Sequence, residues 1–159
     1  MSACVVCSWE QRPRPALDLI VAESERWIVR HHMPPAPLAG WLQFISRRHV
    51  QGAAHFDDGE AAEFGLALRE VSGALERASA ALRVYAIAFG EGSPHLHVHL
   101  VPRYDDLPET ASWKVADWYR AVEGGELAPA TAHEVERMVR RVRAELVALR
   151  GTRWGESRV

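Results

Sequence analysis

Three histidines stand at alternate positions in the stretch Pro94-His95-Leu96-His97-Val98-His99-Leu100-Val101-Pro102-Arg103. Alternation with aliphatic residues is the period of a β-strand, so the imidazoles are expected on one face and the aliphatic side chains on the other. Each buried imidazole must find a hydrogen-bond partner or carry a free-energy cost. Because a strand has no structural need for three titratable rings, this stretch indicates a site with a chemical role.

The distances along a strand divide the three histidines between different roles. Residues i and i+2 lie ~6.6 Å apart and residues i and i+4 lie ~13 Å apart. A neighbouring pair can lean inward and bind one metal ion at ~2.1 Å, but all three cannot do so from one straight strand. The first and third histidines must therefore have different roles, or the strand must bend sharply; the spacing better fits one reactive imidazole flanked by two supporting groups. The alternative is a metal-free strand whose histidines are satisfied by their neighbours.

A glycine-rich turn precedes the histidine strand. Gly90 and Gly92 allow the backbone to approach an anion closely, and the amides of Gly92 and Ser93 are suited to donate to phosphoryl oxygens. The Ser93 hydroxyl and the Arg103 guanidinium would add a further donor and a positive charge. An imidazole that titrates near neutrality acts as a nucleophile or a proton carrier, so the combination predicts chemistry on a phosphoryl group.

Outward from this stretch, the sequence alternates strand signals with helical patterns. Strands are predicted at Leu17–Ala22, Trp27–His32, Trp41–Ser46, Arg83–Phe89 and His95–Val101. Helices are predicted at Gly59–Ala80, capped by Asp57-Asp58, at Trp113–Val122, and at Ala132–Arg150, where Thr131 and Glu134 form a capping box. This order predicts an α+β domain, an antiparallel sheet of about five strands with a main helix packed on it. We expect that domain at residues 1–106 and a C-terminal helical extension, packed on it, at residues 107–159.

The composition is that of one globular domain. The 159 residues carry a net charge of −2, which gives no case for a bulk nucleic-acid or membrane surface. No apolar run approaches a membrane-spanning helix, and the N-terminus lacks the basic region and long apolar stretch of a signal peptide. Two cysteines are too few for a disulfide scaffold. We therefore expect a cytoplasmic protein.

The motif and the order of elements resemble the histidine triad (HIT) superfamily, whose signature is His-x-His-x-His-x-x with every x apolar. The resemblance spans roughly residues 4–105 and includes Cys4-Val-Val-Cys7 and Gly40-Trp-Leu-Gln-Phe-Ile-Ser-Arg-Arg-His49. It implies a sheet-plus-helix protomer that pairs as a homodimer and hydrolyses or transfers nucleotides at the α-phosphate. The implied substrates are dinucleoside polyphosphates, nucleoside phosphoramidates and adenylylated conjugates.

The resemblance also implies a separate role for each histidine. His97 would be the nucleophile that forms a transient nucleotidyl-histidine. His99 would hydrogen-bond the phosphate and help the leaving group, and His95 would hold the site in order by hydrogen bonding or as a zinc ligand. The phosphoryl charge would be met by donors of the preceding glycine turn.

The cysteines extend the resemblance, since many bacterial members bind zinc at this place. Cys4, Cys7, His49 and His95 would then form a closed tetrahedral Cys2His2 site of the structural kind. Taken alone, a Cys-x-x-Cys pair also fits a redox pair or two cysteines without a role.

Three positions depart from the family pattern, one of which is a common Asn-x-Gly that is replaced here by Tyr85-Ala86-Ile87. Glu91 stands where a phosphate-contacting Gln is common, and a carboxylate beside a polyphosphate is repulsive unless it is protonated or turned outward. Met33 stands where an Asp often binds ribose hydroxyls. The adjacent His31 and His32 are candidates for that contact, and the alternative is two exposed loop histidines. The reaction type is thus better supported than the identity of the substrate.

Three functions compete on these grounds. The first is a zinc-containing, dimeric nucleotide hydrolase or transferase. The second is a catalytically weak nucleotide-binding regulatory or interaction protein on the same scaffold. The third makes His95 and His97 ligands of a catalytic metal, which needs one or two further ligands beside them.

Overall fold

The computed structural model describes residues 4–9, 19–90, 92–149 and 153–154. Within these ranges the chain forms five strands, β1 (Ile20–Glu23), β2 (Trp27–His31), β3 (Leu42–Ser46), β4 (Arg83–Ala88) and β5 (His97–Arg103). They make one antiparallel sheet in the order β1-β2-β3-β5-β4. The described residues also form four α-helices, α1 (Val5–Trp9), α2 (Asp58–Ser79), α3 (Val115–Glu123) and α4 (Ala132–Val147), and short 3-10 turns at Ala53–His55 and Pro108–Thr110. The predicted α+β class with about five antiparallel strands is confirmed.

The helices α2 and α4 cover one face of the sheet. Each begins with the predicted capping box, in which Asp57 accepts from the Glu60 amide and Thr131 accepts from the Glu134 amide. The apolar stripes of both helices meet the strand side chains that point to this side, and together they form the main core. That core includes Trp27, Val29, Leu42, Phe44, Val71, Leu75, Leu100, Val139 and Val142.

The opposite face of the sheet holds two apolar clusters with polar residues between them. One cluster contains Ile20, Ile28 and Ile45, with Val6 of α1 packed against it; the other contains Trp41, Val101 and Val115 of α3. Between the clusters, Gln43 of β3 lies directly opposite His99 of β5 in the strand register. The two clusters hold α1 and α3 over the same face that carries the histidines.

The histidine strand begins two residues later than predicted. β5 starts at His97 because the amide of Leu96 donates to the carbonyl of Val50, beyond the end of β3, at 2.6 Å. His95 therefore precedes the strand, and the three histidines do not continue one straight alternation. This bend is what allows His95 to join a different group of side chains.

Other boundaries differ by a few residues. α1 lies in a segment where no helix is predicted, and α3 begins two residues after the predicted start at Trp113. The predicted ends at Leu17 and Arg150 lie outside the described residues. α4 packs on α2 and β1, and α3 packs on the second face; the domain boundary between residues 106 and 107 stays a prediction. Among the described residues, no helix combines the length and the apolar character needed to cross a membrane.

Candidate functional site

Two cysteines and two histidines meet where α1 approaches the start of β5. The ligand atoms of Cys4, Cys7, His49 and His95 all lie within 4.8 Å of one another. The Nδ1 atom of His95 is 3.6 Å from the Cys4 sulfur and 3.4 Å from the Cys7 sulfur, and His49 Nδ1 is 3.3 Å from the Cys7 sulfur. In a tetrahedral zinc site with Zn–S ~2.3 Å and Zn–N ~2.1 Å, the S···N edge is about 3.6 Å. The spacing and the donor set therefore fit a zinc ion.

The hydrogen bond of His95 Nε2 leaves Nδ1 suited to bind a metal. Nε2 donates to the carbonyl of Ser46 at 2.6 Å, because a carbonyl can only accept. The neutral ring then carries its single proton on Nε2 and presents the Nδ1 lone pair to the two sulfurs. A ligating histidine in proteins is oriented in this way by the hydrogen bond of its other nitrogen.

The Cys4 thiol is prepared to ionise. Burial raises its pKa, but hydrogen bonds from the Cys7 amide, the Cys7 side chain, the Val6 amide and the Ser93 hydroxyl outweigh that effect and leave the pKa below its ordinary value. The thiolate is the form that binds metals. Ser93, predicted as a phosphate-binding residue, is thus placed beside the cysteine cluster.

A cavity of about 470 Å³ opens on the same side of the sheet. Its floor comes from the strands, and one wall comes from α3. The lining residues are His32, Trp41, Gln43, Phe89, Gly92, His97, His99, Val115, Ala116, Tyr119, Arg120 and Glu123. The structure therefore brings together four of the residues predicted for the site, namely His97, His99, Gly92 and His32.

His97 presents one free nitrogen to this cavity. Its Nδ1 donates to the carbonyl of His95 at 2.8 Å, which leaves Nε2 without the proton and with a lone pair. An imidazole held in this tautomer is a nucleophile that needs no deprotonation.

His99 is held in the opposite tautomer by a different partner. The indole Nε1–H of Trp41 donates to His99 Nδ1 at 2.9 Å, so the proton of the neutral ring lies on Nε2. The ring centroids of His97 and His99 are 5.0 Å apart. Burial first, and then the positive charges of His97, His32 and Arg30, lower the pKa of His99 to about 3. His99 is consequently an uncharged hydrogen-bond donor at neutral pH.

His31 and His32, at the end of β2, lie in different environments. His31 is fully buried, receives the Gly40 amide on Nε2 at 2.9 Å, and donates from Nδ1 to the His32 carbonyl at 2.9 Å. Burial lowers its pKa to about 4. Both nitrogens are used in holding the turn at Gly40, so His31 does not reach the cavity.

His32 does face the cavity. Its Nδ1 donates to the Met33 carbonyl at 2.7 Å, which leaves Nε2 as an acceptor. Its ring lies 5.4 Å from that of Tyr119 on α3, and burial is the main cause that lowers its pKa. The alternative of two exposed loop histidines is wrong for both, since each is buried.

Two further predicted residues are not in the cavity. Arg103 lies at the other end of β5, where its guanidinium donates to the Thr110 hydroxyl at 3.3 Å and lies 3.7 Å from an Asp105 carboxylate oxygen. A position six residues along a strand is ~20 Å away, so Arg103 cannot share a phosphate with His97. Glu91 lies outside the described residues.

Several lining residues were missed by sequence reasoning. Gln43 stands between buried apolar neighbours, and its Oε1 is buried with no hydrogen-bond partner among the described residues. A polar residue within an apolar strand was the available signal. Tyr119, Arg120 and Glu123 come from α3, and a helix of ordinary amphipathic pattern gives no signal that it borders a site.

Comparison with solved structures finds clear similarity of fold, whereas no model of a protein family matches the chain and no curated protein does. A hypothetical histidine triad nucleotide-binding protein from Sulfolobus tokodaii aligns with a TM-score of 0.66 and 19% identity, over 91% of this chain and 92% of that one. A HIT-like protein from Bartonella henselae, involved in cell-cycle regulation, aligns with a TM-score of 0.63 and 17% identity, over 91% and 98%. A zinc-bound histidine triad family protein from Mycobacterium smegmatis gives 0.62 and 18%, over 91% and 94%. The chain therefore has the fold of the histidine triad proteins, which its sequence resembles.

Proposed function

We propose that this chain is a histidine triad enzyme that hydrolyses or transfers nucleotides at the α-phosphate through an intermediate on His97. The observation that carries the proposal is the tautomer of His97, whose lone pair on Nε2 borders the cavity while Nδ1 donates to the His95 carbonyl. The substrates would be dinucleoside polyphosphates, nucleoside phosphoramidates or adenylylated conjugates.

The reaction would proceed as two displacements at one phosphorus. The Nε2 lone pair of His97 forms a bond to the α-phosphorus, and the bond to the leaving group breaks with its electron pair. The Nδ1–H···O=C bond to His95 holds the ring as it gains positive charge. Water then attacks the same phosphorus, and the imidazole leaves with the electron pair of the N–P bond.

The remaining lining groups would bind the substrate. The Nε2–H of His99 and the Gly92 amide supply donors for the phosphoryl oxygens. The acceptor Nε2 of His32 suits a ribose hydroxyl, and the carboxylate of Glu123 lies close enough to His32 to act on its pKa. We do not assign Arg103 or His31 to the substrate, because their polar atoms are used elsewhere. The assignment of Ser93 to the phosphate stays a prediction.

The cluster of Cys4, Cys7, His49 and His95 would hold a structural zinc ion. Four protein ligands leave no open position for a substrate, which separates this site from catalytic zinc. The ion would tie α1 to the end of β3 and the start of β5. It also removes His95 from the set available to a catalytic metal, so the hypothesis of a His95–His97 metal centre loses its first ligand.

We further propose a homodimer in the cytoplasm. β4 is an edge strand of the sheet, and Phe89, at its end, is 47% exposed beside the cavity. An unpaired edge with exposed apolar residues is suited to pair with a second copy. Two cysteine ligands stay reduced most readily in a cytoplasmic environment.

Trapping the intermediate tests the enzyme proposal. The protein is incubated with labelled diadenosine tetraphosphate or adenosine 5′-phosphoramidate, quenched, digested and analysed by mass spectrometry. An AMP adduct on the peptide that contains His97, absent in His97→Asn, is the expected result. Turnover without an adduct on this histidine, or an adduct elsewhere, contradicts the mechanism.

The same assay tests the second candidate, a binding protein with weak catalysis. That candidate is favoured by Met33, which packs against the core where a ribose-binding carboxylate is common in the family. Tight AMP binding by calorimetry with no turnover of either substrate would support it.

A further inference from the structure

Trp41, which immediately precedes β3, forms a buried hydrogen bond with His99 in β5. The donor–acceptor distance is 2.9 Å, and the ring planes stand 88° apart, so the indole N–H points at the edge of the imidazole. The exposed fractions of Trp41 and His99 are 1% and 6%. An indole nitrogen only donates, and therefore His99 Nδ1 must accept.

We infer that Trp41 is a positioning residue that holds His99 as a neutral imidazole with its single proton on Nε2. An imidazolium carries protons on both nitrogens, so a proton on Nδ1 would face the N–H of Trp41. The hydrogen bond would break and leave two donors opposed in a buried place, at a cost comparable to an unsatisfied buried polar group. The indole thus excludes the charged form by geometry.

The groups that face His99 from the packed elements act in the same direction. His97 on β5, and His32 and Arg30 from the β2 segment, each disfavour a positive charge on the ring. Phe89, at the end of β4, contributes an apolar ring at a centroid distance of 5.7 Å. On α3, the carboxylate of Glu123 and the ring of Tyr119 lie near His32.

The fixed tautomer has a consequence for the leaving group, which rests on the proposed function. A neutral His99 donates a hydrogen bond to a phosphoryl oxygen but has no acidic proton to give up at neutral pH. When the bond from the α-phosphorus breaks, the leaving group must keep the electron pair as an anion or take a proton from water. The site therefore favours phosphate, pyrophosphate or carboxylate as leaving group over an amine, which must be protonated to depart. Phosphoanhydrides and acyl adenylates are the substrate class that this arrangement suits.

The tautomer is measured directly on the whole, unmodified protein. Histidine labelled with ¹⁵N gives separate signals for protonated and unprotonated ring nitrogens in long-range ¹H–¹⁵N spectra. We expect His99 to show an unprotonated Nδ1 and a protonated Nε2 throughout pH 5–8. A proton on Nδ1, or a ring that titrates within this range, overturns the inference, and neither result depends on any variant or on turnover.

Matched tryptophan variants test the role of the indole N–H. Trp27 is also fully buried, but its Nε1 has no hydrogen-bond partner among the described residues, so Trp27→Phe removes the same atoms without removing a hydrogen bond. We expect Trp27→Phe to keep the His99 tautomer. In Trp41→Phe we expect a mixture of tautomers or a ring that titrates at higher pH. An unchanged His99 spectrum in a folded Trp41→Phe overturns the assignment of Trp41.

The kinetic test compares two leaving groups. On diadenosine tetraphosphate, kcat of Trp41→Phe is expected to fall roughly three- to tenfold, the worth of one hydrogen bond, whereas Trp27→Phe retains its rate. On adenosine 5′-phosphoramidate the loss is expected to be smaller, since His99 can now be protonated. Equal losses on both substrates contradict the leaving-group argument. If the wild-type protein turns over neither substrate, the proposed function fails while the spectra still decide the role of Trp41.

Discussion

The cysteine cluster and the cavity each use one histidine of the motif, and the two histidines stand two positions apart. Their imidazoles are held in opposite tautomers. His95 presents Nδ1 to two sulfurs and gives its Nε2 proton to the Ser46 carbonyl. His97 gives its Nδ1 proton to the carbonyl of His95 and presents Nε2 to the cavity. The backbone carbonyl that receives the proton therefore decides which nitrogen is left for chemistry.

The two regions also differ in closure. Four ligand atoms within 4.8 Å of one another leave no room for a substrate, whereas the cavity of about 470 Å³ has room for a nucleotide moiety. A site whose ligand positions are all filled by protein side chains contributes to folding, whereas a site with room for a substrate can contribute to a reaction. The comparison therefore predicts that substitutions in the cluster change stability and that substitutions in the cavity change turnover.

The largest effect is expected from His97→Asn. Loss of the proposed nucleophile should lower kcat/KM by at least ~10³-fold, because the Nε2 lone pair that would attack the phosphorus is removed. Zinc content, measured by atomic absorption, and the midpoint of thermal unfolding should stay near wild type. The matched control is His133→Asn, which replaces an exposed histidine on α4. Substantial activity in His97→Asn, or loss of its zinc, breaks the division between the two regions.

The next effect is expected from Cys7→Ser. Removing a thiolate ligand should release the zinc, and the free energy of unfolding should fall on the order of 3 kcal/mol, since binding of a ligand to the folded state contributes to stability. The control is Ser8→Ala in the same helix, because the Ser8 hydroxyl donates to the Val5 carbonyl and lies outside the donor set. Chelator titration with a colorimetric zinc indicator and urea unfolding supply the two measurements. Full stability of Cys7→Ser without zinc would show that the cluster does not support the fold.

Sequence reasoning located the histidines, the sheet and the caps, because each is encoded by residues close together in the chain. Period-two alternation predicted His97 and His99 on one face, and the boxes at Asp57 and Thr131 are read within four residues. The resemblance added the cysteine cluster, which no spacing rule would place beside His95.

What the sequence did not reveal depends on distant contacts. His95 leaves the strand because Leu96 pairs with Val50, 46 positions earlier in the chain, and nothing in the motif signals that partner. Arg103 belongs to the motif by sequence, but the rise of a strand carries it away from His97 and toward Thr110. The position of α3 beside the cavity depends on the packing of Val115 against Trp41 and Val101, which is a long-range contact that the local sequence does not show.

A smaller effect is expected in the pH dependence of stability. Burial lowers the pKa of His31 to about 4, below the ordinary value of 6.5. The unfolded chain therefore binds the proton first as the pH falls, so this stabilisation is complete above pH ~6.5 and is lost between pH ~6.5 and ~4. We expect His31 to account for about 2 kcal/mol of the free energy of unfolding lost between pH 7 and pH 5.

The variant His31→Gln isolates that contribution. Its carboxamide can accept from the Gly40 amide and donate to the His32 carbonyl, as the imidazole does. Urea unfolding is measured with a chelator present in both proteins, which removes the pH dependence of zinc binding from the comparison. The slope of the free energy of unfolding against pH should be shallower in His31→Gln than in wild type. Identical slopes would show that His31 is not the buried neutral group that the geometry describes.

The smallest effect is expected from Gln43→Met. This substitution tests whether the Gln43 side chain in the cavity contributes to stability or to ligand binding. Gln43 is 7% exposed and its Oε1 has no hydrogen-bond partner among the described residues, an arrangement that costs stability in the ligand-free protein. Methionine fills a similar volume without the buried acceptor, so the free energy of unfolding should rise by about 1 kcal/mol. If the carboxamide binds the substrate, the affinity for AMP measured by calorimetry should fall at the same time, whereas Gln51→Met at an exposed position should change neither. A gain in stability with a loss of affinity assigns Gln43 to ligand binding, which is what we expect of a residue that lines the cavity. A loss of stability with unchanged affinity assigns it to the fold instead.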